Sequence, residues 1–205
     1  MEPKEHWEHV YATKATTEVS WFQEHARMSL KLIREAGVPA SAAILDVGGG
    51  ASVLVDDLLD QGYSDLTVLD ISGAALAAAR TRLGARAAQV RWIEASILEA
   101  QLPDQAFDVW HDRAVFHFLT EAADRQAYVR QLSRALKPGG LAVLATFAED
   151  GPAKCSGLPV QRYSPETLAA ELGPGFTRLR AERDTHRTPF DTEQRFLFCL
   201  FRKAP

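Results

Sequence analysis

Short apolar runs recur along the chain and are separated by segments with helical spacing. The run from Ile44 to Val47 follows Ala42-Ala43 without polar alternation, which is typical of a strand buried on both faces of a parallel sheet. Four later runs predict further strands, at residues 66–69, 90–93, 107–111 and 141–147. The pattern therefore predicts an α/β domain built around a largely parallel sheet.

Helix signals separate these strands. Ser52 is an expected N-cap for a helix over residues 53–59, and an alanine-rich helix is predicted over residues 73–83. Two later helices have clear start or stop signals. The first is capped by Thr120 and ends at Pro138-Gly139-Gly140, and its apolar stripe consists of Tyr128, Leu132, Ala135 and Leu136. The second begins at Ser164-Pro165-Glu166 and ends at Gly173-Pro174-Gly175.

The last part of the chain departs from this alternation. Residues 176–184 and 194–202 form two extended runs with no helix between them. We therefore expect an antiparallel hairpin that closes one edge of the sheet.

The first part of the chain combines a helix with an aromatic segment. A helical stripe ends at Gly37 and Pro39, and Trp7, Tyr11 and Trp21 precede it. The stripe consists of Phe22, Ala26, Ser29, Leu30 and Ile33. We expect the aromatic segment to cover the sheet edge, either as a lid over a bound ligand or by burying the first helix against the domain.

The residues after the first strand indicate a ligand site. Asp46 precedes Gly48, Gly49 and Gly50, and glycines allow a ligand to lie directly against the backbone because they carry no Cβ. A dinucleotide fingerprint requires a small residue at the place of Val53, so the chain does not match that class.

A second carboxylate follows the second predicted strand. Asp70 lies 20 residues beyond Gly50, at the carboxyl end of that strand. Open α/β sheets bind ligands at this edge, and a carboxylate there can accept hydrogen bonds from both hydroxyls of a ribose. The alternative is an Asp that caps a helix in an ordinary loop.

Composition narrows the classes of function. A chain of 205 residues can form one domain with a good core, and a net charge of −4 argues against a dedicated nucleic-acid binder. Cys155 and Cys199 are too few and too distant for a disulfide framework, and no apolar run approaches the roughly 20 residues of a membrane span. Residues 1–6 lack the apolar core of a signal peptide, so we expect a cytoplasmic protein.

Four motifs, taken in order, resemble those of the class I S-adenosylmethionine-dependent methyltransferases. They are Asp46-Val47-Gly48-Gly49-Gly50, then Asp70, then Phe107-Asp108-Val109-Trp110-His111-Asp112, then Leu136-Lys137-Pro138-Gly139-Gly140-Leu141. The resemblance implies a three-layer αβα sandwich with a mostly parallel seven-stranded sheet of order 3-2-1-4-5-7-6, in which strand 7 is antiparallel. It also implies one domain over residues 1–205, with an N-terminal helical cover or lid (1–40), a cofactor-binding core (41–147) and a C-terminal part (148–205) that holds the substrate loop, a helix and the hairpin.

The resemblance implies S-adenosylmethionine (SAM) as the cofactor. Asp46 is then expected near the amino group of its methionine moiety, and Asp70 on its ribose hydroxyls. Gly48, Gly49 and Gly50 are expected to lie against the methionine moiety and the ribose. Tyr11 and Trp21, from the aromatic segment, and His111 complete the expected contacts to this part of the cofactor.

Adenine recognition departs from the usual family pattern. Ile71 is expected to pack on the adenine face, but Ser96 occupies the place where the family usually has an acidic residue for the adenine amino group. A serine hydroxyl accepts a weaker hydrogen bond than a carboxylate does. We therefore expect recognition by Ser96, Ile97 and backbone groups, with Glu94 replacing Ser96 only if the loop shifts.

The segment from His111 to Phe118 borders the transferring methyl group in this family. His111 or His117 could be a general base, and Asp112 could orient a substrate or cofactor amine. The alternatives are a core position for His117 and an ion pair between Arg113 and Asp112. Neither His111 with His117 nor His6 with His9 has the spacing of a metal site, so no metal is expected.

The loop from Ala148 to Tyr163 is expected to lie over the carboxyl edge of the sheet, beside the methyl donor. His186 could reach in from the final hairpin, and Cys155 could equally be a bystander thiol. The substrate-side candidates are Arg113, Phe116, Cys155, Arg162 and Tyr163.

Three functions follow from these expectations. The first is in-line methyl transfer to a small molecule, and the second is methylation of a protein lysine through an acidic channel that Asp112, Glu149 and Asp150 could line. The segment from Trp7 to Phe22 and the Asp112-Arg113 element faintly resemble both thiopurine-type small-molecule methyltransferases and the lysine methyltransferases that act on elongation factor 1A. The third is a non-catalytic cofactor-binding or scaffold protein. The methyl acceptor, small molecule or protein, is the expected partner, without nucleic acid or membrane, and the pattern leaves the oligomeric state open.

Overall fold

The computed structural model describes residues 3–205 and shows a mixed sheet between two helical layers. Its strands lie close to the apolar runs of the sequence. They are β1 (Ala43–Val47), β2 (Asp65–Asp70), β3 (Val90–Glu94), β4 (Phe107–Arg113), β5 (Leu136–Phe147), β6 (Lys154–Cys155), β7 (Leu158–Pro159), β8 (Phe176–Arg187) and β9 (Glu193–Lys203).

Six helices and three short 3₁₀ turns lie between or before these strands. The helices are α1 (Pro3–Thr13), α2 (Arg27–Glu35), α3 (Leu54–Asp60), α4 (Gly73–Leu83), α5 (Ala122–Ala135) and α6 (Pro165–Leu172). The 3₁₀ turns are Thr16–Glu18, Gly84–Gln89 and Phe116–Phe118. The predicted cap of α6 is confirmed, because the Ser164 hydroxyl accepts a hydrogen bond from the Thr167 N–H at 3.1 Å.

The main sheet has seven strands in the order β3-β2-β1-β4-β5-β9-β8. Strands β1 to β5 pair in parallel, whereas β9 runs antiparallel to both β5 and β8. Because β8 and β9 are the sixth and seventh strands of this sheet, the order agrees with the expected 3-2-1-4-5-7-6. The pair β6-β7 is separate and was not predicted, since each of its strands has only two residues.

Four local predictions were wrong at element boundaries. Ser52 is not the N-cap of α3, since Val53 holds that position and the Ser52 hydroxyl accepts from the Leu54 N–H instead. Thr120 does not cap α5, which starts after Glu121, and Leu136 belongs to β5 rather than to the helix. Phe22 lies outside α2, which begins at Arg27.

Two apolar clusters cover the two faces of the sheet. Trp110, Tyr128 and Leu168 belong to the face that carries α5 and α6, and Ile33, Leu58 and Phe198 belong to the face that carries α2 and α3. Strand β4 contributes alternate side chains to the two clusters, as strand geometry requires. Because β1 to β5 are parallel, their carboxyl ends meet at one edge of the sheet. Among residues 3–205, no helix is long and apolar enough to cross a membrane.

Candidate active site

A cavity of about 370 Å³ lies at the carboxyl edge of β1, β2 and β4, beneath α1. A smaller pocket of about 50 Å³ adjoins it at the loop after β1. The two cavities share part of their walls, so a ligand that fills one cavity also contacts residues that line the other. The shared residues are Tyr11, Trp21, Val47, Gly48 and Arg113.

Asp46 is fixed at the floor of the small pocket by a buried hydrogen-bond chain. Its Oδ1 accepts from His111 Nδ1 at 2.7 Å, and His111 Nε2 lies 2.8 Å from the Ser29 hydroxyl on α2. The second carboxylate oxygen, Oδ2, is buried and has no partner among residues 3–205. Asp46 therefore presents one free acceptor to the pocket in a fixed orientation.

His111 does not fit the expected role of general base. The side chain is 2% exposed, and both ring nitrogens already have partners in Asp46 and Ser29. A histidine whose two nitrogens are both hydrogen-bonded can take a proton from the methyl acceptor only after it loses one of these bonds. Its geometry is that of a positioning residue for Asp46, although its place in the lining of the small pocket keeps it near a cofactor.

Asp70 lies in the wall of the large cavity at the end of β2. Its Oδ1 accepts from the Ser72 N–H at 2.8 Å, which ties the carboxylate to the start of α4. Burial raises the pKa of Asp70 to about 7, against hydrogen bonds from the Ser72 and Gly50 backbones that lower it. This carboxylate therefore titrates near neutral pH.

The glycine loop serves the two carboxylates rather than offering free backbone donors. A Cβ at Gly49 would lie 2.4 Å from Asp46 Oδ2, and one at Gly50 would lie 2.4 Å from Asp70 Oδ2. The N–H groups of Gly48 and Gly49 donate to the Leu69 carbonyl. The expectation that a ligand meets these N–H groups is therefore not supported. Gly48 and Gly49 still line the pockets, whereas Gly50 does not.

The far end of the large cavity is formed by the loop after β3. Ile71, Ser96 and Ile97 line it, as the adenine assignment requires. The Ser96 hydroxyl accepts from the Leu98 N–H at 3.3 Å, which fixes the turn. Glu94 is absent from the wall of the cavity and forms an ion pair with Lys4 at 2.6 Å instead.

Asp112 is a structural residue rather than a catalytic one. It is fully buried, and it accepts from the Tyr128 hydroxyl at 2.6 Å and from the N–H groups of Val115 and Phe116. These bonds cap the 3₁₀ turn after β4 and leave no free edge for a ligand. Burial raises the pKa of Asp112 to about 6 despite the Tyr128 bond. The expected ion pair with Arg113 is absent.

His117 and Phe116 belong to the core. His117 is fully buried, and Phe118 and Phe147 pack against its ring at 4.5 and 4.7 Å. Burial, together with the Arg113 charge, lowers the pKa of His117 to about 3, so the ring is neutral at physiological pH. Neither residue lines the cavity, which argues against a base at His117 and a substrate contact at Phe116.

Arg113 is the one predicted substrate residue that lines both cavities. Its Nη1 donates to the Trp21 carbonyl at 3.1 Å, and its guanidinium lies 4.6 Å from the Phe196 ring centroid. Burial lowers the pKa of Arg113 to about 10, which still leaves it charged at neutral pH. Nε and Nη2 are buried without a partner among residues 3–205.

The loop after β5 brings only part of the expected set to the cavity. Cys155 lines it as a buried thiol whose pKa is raised to about 11 by burial, so it is not an activated nucleophile. Arg162 is exposed, and Tyr163 packs against Phe116 on the opposite side of the sheet. His186 donates to the Ser20 carbonyl and does not line the cavity.

The acidic residues expected along a lysine channel are already paired. Asp150 lies 3.0 Å from Arg183 and 2.8 Å from Arg195, and Glu149 lies 3.4 Å from Arg183. These are exposed ion pairs away from the cavity lining. With Asp112 buried as well, the expected channel is not formed by these residues.

Residues 3–22, named here the N-terminal cover, close the cavity from above. Glu8 of α1 accepts from the Gly73 and Ala74 N–H groups at 2.6 and 3.3 Å, at the first turn of α4. Trp7 packs edge-on against Trp21 and Phe118, with ring centroids 5.6 and 5.2 Å away. The Trp21 indole N–H donates to the Tyr11 hydroxyl at 3.1 Å. The cover is thus joined to both ends of the site.

Sequence reasoning missed several residues of the site. His6 lines the cavity beside the β6-β7 turn, where its Nε2 lies 3.2 Å from the Ser156 hydroxyl. Phe118 and Leu119 also line it, although only the residues before them were singled out. Ser29 was placed on an apolar stripe, and the presence of a polar side chain there was the signal for the bond to His111.

Comparisons with known proteins agree on the kind of domain. A family model described as a methyltransferase domain matches residues 44–140, the segment that holds Asp46, Asp70 and His111. The uncharacterized methyltransferase Rv0089 of Mycobacterium tuberculosis is 30% identical over 124 residues, which cover 60% of this chain and 60% of that protein. The human EEF1A lysine methyltransferase 2 is 24% identical over 159 residues, which cover 70% of this chain and 66% of that protein.

A solved structure has the same fold over nearly the whole chain. It is the 1,6-didemethyltoxoflavin-N1-methyltransferase of Burkholderia thailandensis, solved with bound 1,6-didemethyltoxoflavin and S-adenosylhomocysteine. The two proteins are 23% identical, with a TM-score of 0.70, and the match covers 96% of this chain and 81% of that one.

Proposed function

Because this chain belongs to the class I SAM-dependent methyltransferases, we propose that it transfers the methyl group of SAM to a small molecule enclosed beneath the N-terminal cover. The enclosure carries the proposal. Helix α1 and the β6-β7 turn meet above the large cavity, where His6 contacts Ser156. Such a closed space suits a compact acceptor better than a protein surface.

The residues of the two cavities fit the cofactor. Asp46 Oδ2 is a buried acceptor that has no partner within residues 3–205, which suits the amino group of the methionine moiety. Asp70 lies where a carboxylate can accept from the ribose hydroxyls, and Ile71, Ser96 and Ile97 offer an apolar and polar wall for adenine. The glycine loop leaves room for both carboxylates, because a Cβ at Gly49 or Gly50 would collide with one of them.

The chain contributes orientation and exclusion of water to the reaction. When bound, SAM would supply a methyl group on a positively charged sulfur; an in-line nucleophile would bond to the methyl carbon as the carbon–sulfur bond breaks and S-adenosylhomocysteine leaves. Asp46 and Asp70 would hold the methionine and ribose parts of the cofactor, while Trp7, Phe118 and Leu158 would keep water from the acceptor side. Such positioning accounts for roughly 7–11 kcal/mol of barrier in favourable systems.

A proton on the acceptor would need a base other than those predicted. His6 is the imidazole that lines the large cavity within residues 3–205, and burial lowers its pKa, so it is neutral at pH 7 and able to accept a proton. We propose His6 for this role, in place of His111 and His117.

Protein-lysine methylation is the second candidate, since a human relative is named for that activity. One feature of the site disfavours it. Glu149 and Asp150 are paired with arginines and do not line the cavity, so they offer no acidic channel for an ammonium group.

A labelled-methyl assay tests these functions. Purified protein is incubated with methyl-labelled SAM and either pooled metabolites or lysate proteins, with Asp70→Ala as the inactive control. We expect label in the small-molecule fraction and none with the control. Label in the protein fraction would favour protein-lysine methylation. Calorimetry that detects SAM binding without any transfer would favour a non-catalytic protein, and no binding at millimolar SAM would exclude all three functions.

A further inference from the structure

Two buried charged groups of opposite sign line the small pocket, and each keeps polar atoms that have no partner among residues 3–205. Asp46 contributes the free Oδ2, and Arg113 contributes Nε and Nη2, all of them buried and without a hydrogen bond among residues 3–205. Leaving charged groups buried and unpaired is costly, so such atoms mark the place of a ligand. A pocket of about 50 Å³ with one anionic and one cationic wall is complementary to a small zwitterion.

We propose that Arg113 binds the carboxylate of the methionine end of SAM, opposite Asp46, which binds its ammonium group. The inference rests on the proposed function and changes the role of Arg113 from acceptor binding to cofactor recognition. The two residues would read the two charges of the amino-acid end together, and a cofactor analogue without the carboxylate would lose half of this recognition.

The free nitrogens of Arg113 have the arrangement that a carboxylate requires. Nε and Nη2 form one side of the planar guanidinium group, and two parallel N–H bonds from that side match the two oxygens of a carboxylate. The opposite nitrogen, Nη1, is already occupied by the Trp21 carbonyl, and the Phe196 ring holds the plane of the group. Arg113 is therefore oriented before any ligand arrives.

Among residues 3–205, no acidic side chain forms an ion pair with Arg113 in the place of this carboxylate. Asp112, the neighbour in sequence, is directed to the other face of the sheet and bonds to Tyr128. Asp184 raises the pKa of Arg113 through its charge, yet it forms no ion pair with it. The cation of Arg113 is thus left for a ligand.

Calorimetry with SAM and decarboxylated SAM tests the assignment without any knowledge of the acceptor. We expect the wild-type protein to bind SAM about 30-fold more tightly than decarboxylated SAM, as two charge-assisted hydrogen bonds imply. In Arg113→Met this preference should fall to less than about threefold, because affinity for SAM drops while affinity for decarboxylated SAM is kept. Arg162→Met, which changes an exposed arginine outside the cavities, serves as the matched control and should keep the wild-type preference.

Several outcomes would overturn the assignment. If a folded Arg113→Met protein loses the same affinity for both ligands, the role of Arg113 is structural. If it binds both ligands as tightly as the wild-type protein does, Arg113 does not contact the cofactor and is again a candidate for binding the methyl acceptor. If Arg113→Met does not fold, as judged by circular dichroism, Arg113→Lys carries the test. Arg113→Lys keeps the positive charge but lacks the two parallel N–H groups of the guanidinium, so its preference for SAM over decarboxylated SAM should be intermediate. A wild-type protein that binds neither ligand would instead refute the proposed function.

Discussion

The floor and the roof of the site are held by different kinds of contact. On the floor, Asp46, Asp70 and His111 are at most 7% exposed, and short hydrogen bonds fix each of them. In the roof, α1 buries only Val10, and it is held by exposed or half-buried groups such as the Lys4–Glu94 pair. A floor of this kind is preorganised for its ligand, whereas the roof can separate at low cost.

Removing Asp70 should produce the largest effect, because it changes the floor. We expect Asp70→Ala to weaken S-adenosylhomocysteine binding by about 100-fold, since two hydrogen bonds to a charged acceptor are lost. Calorimetry measures this change. Asp65→Ala, which removes an exposed carboxylate at the other end of β2, is the matched control and should bind normally. Normal binding by Asp70→Ala would mean that the ribose does not contact this residue.

The pH dependence of S-adenosylhomocysteine binding should follow the titration of the same carboxylate, Asp70. Because the pKa of Asp70 is raised to about 7, S-adenosylhomocysteine affinity should rise by about tenfold from pH 6 to pH 8, as the acceptor form becomes dominant. The stability of the folded protein should change with pH in the opposite direction. A carboxyl group whose folded pKa exceeds its unfolded pKa contributes stability below the unfolded value and loses it as pH rises through 7.

Asp70→Asn separates the two trends. This variant has no titratable group at the site, so both the rise in affinity and the matching fall in stability of the free protein should be absent. Thermal melts at pH 6 and pH 8, with and without ligand, provide the measurement. A variant that keeps the wild-type slope would assign the titration to another group.

Truncation of an aromatic residue in the roof should have a smaller effect. We expect Trp7→Ala to weaken S-adenosylhomocysteine binding by about fivefold and to speed its dissociation, because the contacts with Trp21 and Phe118 are lost. Stopped-flow fluorescence measures the dissociation rate. His9→Ala changes the exposed face of the same helix and should leave both values unchanged. A loss as large as that of Asp70→Ala would show that roof and floor are equally important.

The weakest effect is expected from the charge of Glu8, which lies in the middle of α1 and contacts the start of α4. Glu8→Gln keeps a hydrogen-bond acceptor for the Gly73 N–H but removes the negative charge at the start of α4. Interactions of this kind contribute about 0.3–1 kcal/mol, so opening of α1 should become about two- to fivefold more frequent. Hydrogen exchange of the α1 amides measures this opening. Glu5→Gln, an exposed change on the same helix, is the control.

The sequence predicted the floor better than the roof. Strands β1, β2 and β4 follow from apolar runs, and Asp46 and Asp70 from their place at the ends of two of them. The partner of each side chain was harder to predict, because it depends on contacts between residues far apart in the chain. Ser29 meets His111 across 82 positions, and Glu8 meets Gly73 across 65.

The errors within the site have a common physical cause. His111, Asp112 and His117 were chosen because their side chains can exchange protons, yet each is enclosed by neighbours that the local sequence does not reveal. Tyr163 and Phe116 likewise pack on the opposite face of the sheet. In contrast, Arg113 and Cys155 do line the cavity.

The contact between Glu8 and α4 has a consequence for the order of events in each turnover. Residues of α1 line the cavity, and Glu8 joins this helix to the start of α4, so we expect cofactor exchange to be faster when α1 releases its hold. A fast chemical step would then wait on this exchange, as in many enzymes with closing segments. Since the hold is partly ionic, added salt should accelerate steady-state turnover even while it leaves the reaction in the closed protein unchanged.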